Sequence, residues 1–248
     1  MNMSPLRILV LLTSLALAAC AAPPVSVPLG TVTTANFTDR KPHDWARRTP
    51  QSYAVHGIDV ARFQSPLNWG QARVNGVNFA FIKATEGGDL LDPMFADHWR
   101  GAGRSGVARG AYHFYYFCTT PQAQARWFIQ NVPKTPGTLP PVLDMEWNPF
   151  SPTCTLRPPA HVVRRNAQIF LRILKAHYGQ QPIVYTTPDF YETNQMGRLG
   201  GTEFWLRWTF WQYTSTGRVP GALGDLDINV YAGSPASWEN WLARRQIR

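Results

Sequence analysis

From about residue 53 onward the chain alternates strand-like and helix-like stretches, and that rhythm leaves few folds open. "HGIDVARF", "NFAFIKAT", "ARGAYHFYYF", "LPPVLDMEW" and "PIVYTT" are short, apolar and rich in β-branched or aromatic residues, as buried strands are. Between them run "NWGQARVNG", "DPMFADHWRGAGRSG", "TPQAQARWFIQNV" and "PPAHVVRRNAQIFLRILKAHYG". The last is the longest helix, with Val162, Val163, Ile169, Phe170, Ile173 and Leu174 as its apolar stripe and Gly179 as its stop. Such alternation argues for a parallel sheet, and strands this short and apolar fit a closed barrel better than an open sheet. The tail differs. "EFWLRWTFWQYTS" and "GDLDINVYAG" are β-like with no amphipathic helix between them, and "SPASWENWLARRQ" supplies a closing helix capped by its leading serine.

The amino-terminal part follows another rule. Arg7 precedes the apolar run "ILVLLTSLALAA", which is too short for a comfortable membrane span and matches a secretory leader over residues 1–19. "LAAC", ending at Cys20, resembles the bacterial lipoprotein lipobox, which implies cleavage before Cys20 and lipid attachment to it. An ordinary signal peptide followed by a chance cysteine is the alternative. Residues 20–52, rich in Pro, Ala and Thr, read as a disordered tether, with the folded domain occupying 53–248. The expectation is an exported protein, periplasm-facing or at the cell surface, held at a membrane by acyl chains and lacking a spanning helix.

Charge and cysteines narrow the partners. The balance of 24 Lys+Arg against 15 Asp+Glu gives +9, which favours an anionic partner. The basic residues are scattered, without the dense block that nucleic-acid binding requires, so no nucleic acid is expected. Cys118 and Cys154 lack the companions and spacing of a zinc site; free buried thiols or a disulfide remain. They follow the third and fourth strands, which adjoin in a barrel, and that favours the disulfide. No metal, no cofactor and a monomer are expected.

Chemistry gathers at the strand ends. In "PPVLDMEWNPF", side chains alternate, so Asp144 and Glu146 face one way with Met145 opposed, their Cα atoms roughly 6.6 Å apart. Asp59 lies in the first strand and Asp227 in the last, and a closed barrel makes those two strands neighbours. Solvated acids at strand ends and turn-capping aspartates are the blander reading. Four acids beside the aromatics of "YHFYYF", "IVYTT" and "WQYTS" point instead to a carbohydrate cleft, where paired carboxyl groups cleave a glycosidic bond. Lys83 and Glu86 read as an ion pair at a strand end, and His113 as a satisfied core histidine.

"GIDVARFQ", "FIKATEGGDLLDPMF", "GAYHFYYF", "PVLDMEW", "IVYTTPDFY", "WTFWQYTSTGRVPG" and "DLDINVYAG", taken in order, resemble the successive motifs of glycoside hydrolase family 25, the N,O-diacetylmuramidase type of lysozyme. The resemblance runs from about residue 56 to the carboxyl end. It implies an α/β fold, a modified TIM-like barrel of five β/α units and three closing strands. It also implies hydrolysis of the β-1,4 bond between N-acetylmuramic acid and N-acetylglucosamine in peptidoglycan glycan strands. By position, Glu146 matches the family's proton donor and Asp144 its partner acid, with Asp59 also counted as catalytic. Asp227, Tyr112, Tyr185 and Gln212 match positions that shape the sugar site, while Trp211 fits core packing or sugar contact equally.

One departure stands out. The family carries a connecting segment between "EFWLR" and "WTFWQYTS", and here there is none. Parallel neighbours need a crossover of about a dozen residues, so both stretches cannot be full parallel strands of one sheet. The expectation is a barrel incomplete around 204–210, with "FWLR" expelled or merged into one long strand beside a gap. A non-catalytic peptidoglycan-binding lipoprotein is then the alternative to an enzyme, although the four acids remain.

Overall fold

The computed structural model describes residues 30–46, 48–206 and 208–248. The leader over 1–19, Cys20 and the first part of the expected tether lie outside the described residues. In chain order the strands are β1 Thr38–Asp39, β2 His56–Val60, β3 Phe79–Glu86, β4 Leu90–Leu91, β5 Ala108–Phe114, β6 Val142–Asp144, β7 Ile183–Tyr185, β8 Glu203–Trp205, β9 Phe210–Arg218 and β10 Leu226–Tyr231. The helices are α1 Trp69–Val74, α2 Phe95–Arg104, α3 Pro121–Asn131, α4 Ala160–Tyr178, α5 Pro188–Thr193 and α6 Pro235–Arg245. Strands β1 and β4 are short additions at β9 and β3; the other eight close a ring in which β2, β3, β5, β6, β7 and β8 run parallel and β10 runs antiparallel between β9 and β2. Five β/α units are followed by three closing strands, as the resemblance implies.

The strand period of two sorts the barrel into an inside and an outside. Phe79 and Phe81 of β3, Val142 of β6, Ile183 of β7, Trp205 of β8 and Phe210 of β9 fill the lower interior. Trp238 and Trp241 of α6, stacked at 5.5 Å, close it from below. Gly57 lies in this layer because a Cβ there would fall 2.5 Å from the Phe79 carbonyl oxygen. The intervening residues Ala80, Ile82, Ala84 and Leu143 face outward and join Phe128, Val163, Phe170 and Leu174 of the helices. Each large apolar side chain buried in these layers contributes roughly 1.5–3 kcal/mol. Helices α3, α5 and α6 share one starting device: Thr120, Thr187 and Ser234 each precede a proline and accept a backbone N–H through the side-chain hydroxyl.

Two expectations are corrected. First, the expected tether is not free throughout: residues 31–39 dock on the barrel. The buried Arg73 guanidinium donates to Thr31 O at 2.6 Å and Thr33 Oγ1 at 2.7 Å, while Asn78 exchanges hydrogen bonds with the Thr33 backbone. Gly76, at φ +105°, lets Ala35 pass within 2.3 Å of where a Cβ would sit. Beyond it β1 pairs with the end of β9, Thr38 opposite Arg218. This N-terminal arm was illegible because its partners are polar side chains about forty residues away and obey no period.

Second, the barrel closes across 204–210. Strand β8 keeps three residues parallel to β7, with Trp205 opposite Tyr185. Its contact with β9 is a single pair, Trp205 opposite Phe210. The missing crossover therefore shortens the seam without expelling β8, because one pair requires no return to the bottom of the barrel.

Candidate active site

Asp59 ends up near the carboxyl end of β2 and directly opposite Asp227, the second residue of β10. Asp144 is the last residue of β6, opposite Tyr185 of β7 and Phe114 of β5. Glu146 follows two residues later, while Met145 between them is buried on the outer side. The four carboxyl groups line one pocket of about 290 Å³ at the carboxyl ends of the strands, together with Lys83, Tyr112, Tyr185 and Gln212. That end of a β/α barrel is where catalytic groups gather, since every inward side chain at the strand tips converges there.

A hydrogen-bonded chain runs across the floor. Tyr185 Oη donates to Gln212 Oε1 at 2.6 Å, and Gln212 Nε2 donates to Asp59 Oδ2 at 3.0 Å. The buried Asn229 donates to the same oxygen at 2.7 Å, and Trp205 Nε1 donates to Asn229 Oδ1 at 2.8 Å. Asp59 is thus held from two neighbouring strands, β9 and β10, and its amide partners are oriented by two aromatic donors. Sequence reasoning missed Asn229 and Trp205. Asn229 had a signal, since it follows Asp227 by two and so faces the same side; Trp205 had none, lying in the stretch where closure was in question.

Electrostatics sets the protonation. Burial lifts Asp59 well above its ordinary value, and Asp227 and Glu146 push the same way against the amides of Asn229 and Gln212. Asp144 is lifted by burial and then by Glu146, with Lys83 opposing; its Oδ1 is buried with no hydrogen-bond partner among the described residues, which adds to the cost of charge. Glu146 is raised by burial and by Asp227, with Lys83 opposing. Burial takes Asp227 to about 6. Burial and mutual repulsion in one small pocket disfavour four negative charges, so protons are retained on some of the acids.

Lys83 is the one basic group lining the pocket among the described residues. It donates to Glu86 Oε2 at 2.5 Å and sits 4.9 Å from the centre of the Phe114 ring. Glu86 also accepts from Tyr116 Oη. Burial opposes its charge, but those two hydrogen bonds hold Glu86 below its usual value. His113 bridges Thr85 and Gln124 inside the outer core and is neutral, its ring held near 4 by burial. Cys118 and Cys154 are bonded to each other, tying the loop after β5 to the loop after β6. Trp211 does not join the acids: Gln212 faces in, so its neighbour faces out, where it meets Trp45 of the arm at 4.7 Å.

Residues 58–207 match the family model described as glycosyl hydrolases family 25. The chain belongs to that family. The lysozyme M1 of Streptomyces globisporus is 35% identical over 73% of this chain and 69% of its own. YegX of Escherichia coli, an uncharacterized protein, is 35% identical over 77% of this chain and 74% of its own. Among solved structures, the bacterial lysozyme of Streptomyces coelicolor superposes with a TM-score of 0.69 at 34% identity, covering 76% of this chain and 95% of that one. A family 25 glycosyl hydrolase from Bacillus anthracis reaches 0.70 at 30% identity, covering 81% and 98%. The family 25 chain described here is a glycoside hydrolase with the closed α/β barrel of those structures. The arm and β10 lie outside the matched residues, so Asp227 and Asn229 reach the pocket from beyond that span.

Proposed function

We propose that the chain is a muramidase that cleaves the β-1,4 bond between N-acetylmuramic acid and N-acetylglucosamine in peptidoglycan. The observation that carries this reading is the convergence of Asp59, Asp144, Glu146 and Asp227 on one pocket, with Glu146 pushed up by burial and by Asp227. Relatives named lysozyme and N,O-diacetylmuramidase support the choice of substrate. Glu146 acts as general acid, giving its proton to the glycosidic oxygen as the bond to the anomeric carbon breaks. The carbonyl oxygen of the substrate's own acetamido group attacks that carbon, and Asp144 steadies the positive charge that develops on the resulting ring. Glu146, now ionised, takes a proton from water as the water opens that ring and restores the acetamido group. Asp59 is fixed by Gln212 and Asn229 as a further catalytic acid, while Asp227, Tyr112, Tyr185 and Gln212 shape the sugar site.

Zymography on purified peptidoglycan tests this. The unmutated chain is expected to clear the gel, and Glu146→Gln to lose activity on the order of 10²–10⁴-fold. Mass spectrometry of reduced products is expected to show muramic acid at the new reducing end; glucosamine there would overturn the bond assignment. A trapped covalent sugar on Asp144 or Asp59 would replace acetamido attack with a protein nucleophile. The apolar leader and "LAAC" support export and lipid attachment at Cys20 as part of the same proposal, placing a monomeric enzyme beside the wall. Metabolic labelling with a palmitate analogue, lost in Cys20→Ala, checks the anchor.

A further inference from the structure

Beside the catalytic pocket lies a groove of about 520 Å³ that shares Tyr185, Trp205 and Gln212 with it. Its far wall is aromatic: Trp45, Trp211, Tyr191 and Trp208. Trp45 and Trp211 meet edge to face at 4.7 Å, and Tyr191 and Trp208 at 5.1 Å. Trp208 is 56% exposed, an unusual position for so large an apolar ring. Thr187 and Glu192 add polar groups along the same groove. Trp45 belongs to the N-terminal arm, upstream of the residues that match the family model.

We infer that the N-terminal arm completes a second saccharide-binding stretch, in which Trp45 and Trp208 receive sugars of the same glycan strand lying beyond the pair that is cut. This rests on the muramidase reading and deepens it. Three observations carry it. The two cavities share walls, so a strand leaving the pocket past Gln212 enters the groove directly. Sugar rings present one apolar face and a hydroxyl rim, which suits rigid aromatic rings interleaved with Thr187 and Glu192. The arm is also anchored independently of the groove, through Arg73, Asn78 and the β1–β9 pairing, and Trp45 itself rests on Trp211, so its ring stands at the groove before any ligand arrives.

The test is binding by the full chain carrying Glu146→Gln, titrated by calorimetry with peptide-free glycan oligomers of about four and about eight sugars, where one aromatic contact is worth about tenfold. Affinity is expected to rise with length, and Trp45→Ala to erase most of the gain. Trp208→Ala, at a half-exposed ring and with its fold checked by circular dichroism, is expected to act in the same direction, and Trp45→Tyr to restore part of the gain. Length dependence that survives both alanine substitutions would overturn the inference. So would tighter binding by Trp45→Ala, which would make the arm a cover, or a Trp45 effect seen only on strands bearing stem peptides. Clearing of peptidoglycan by the unmutated chain without any length preference defeats this inference alone, whereas neither clearing nor binding at any length defeats the muramidase reading with it.

Discussion

Asp227 shows how one buried carboxyl ties stability to pH. Its folded value is about 6 against an ordinary 3.8, so between those limits the folded chain keeps a proton that the unfolded chain has lost. Stability therefore falls as pH rises across that window. Asp227→Asn is expected to raise stability by about 1–3 kcal/mol at neutral pH and to leave it unchanged near pH 4, as read from urea midpoints. The same substitution removes a charge that keeps Glu146 protonated, so the alkaline limb of kcat/KM should move to lower pH. Asn229 makes the complementary point. Replacing it by alanine leaves Asp59 with one amide donor and Trp205 Nε1 with no acceptor, a loss expected at about 1–3 kcal/mol in denaturant titration. Strand alternation alone made the Asp144 and Glu146 pair legible, and barrel closure brought Asp59 to Asp227. Asn229 obeyed the same alternation, but an amide attracts no notice until the carboxylate it holds is seen.

At the scale of elements, the legible parts were those with a period. The five β/α units could be read because inward and outward residues alternate in strands and apolar stripes recur in helices. Helix α5 has six residues, too few for a stripe, and only its Thr187-Pro188 start hints at it. The arm is held by hydrogen bonds in place of apolar spacing, and Arg73 is its main anchor, buried and reaching Thr31, Thr33, Asn78 and the Gly106 carbonyl. Arg73→Met should release it: limited proteolysis is expected to cut within residues 31–52 while the barrel core stays resistant. The β8–β9 seam was misjudged because the rule for parallel crossovers speaks of whole strands, and a single pair at Trp205 and Phe210 escapes it.

For the molecule as a whole, the disulfide and the arm both bind distant parts of the chain. Cys118–Cys154 closes a loop with a sequence separation of 36 residues, which by chain entropy is worth about 3–4 kcal/mol. The Cys118→Ser, Cys154→Ser double variant is expected to lose about that much in urea titration, and reduction of the unmutated chain to match it. The docked arm also governs reach. A free tether from Cys20 to residue 53 would let the barrel roam widely, but with the arm fastened only nine residues lie between Cys20 and Gly30. Fully extended they span at most about 35 Å. If Cys20 carries the lipid proposed above, an enzyme leashed that tightly would graze only the layer of wall nearest the bilayer, leaving the outer lattice intact.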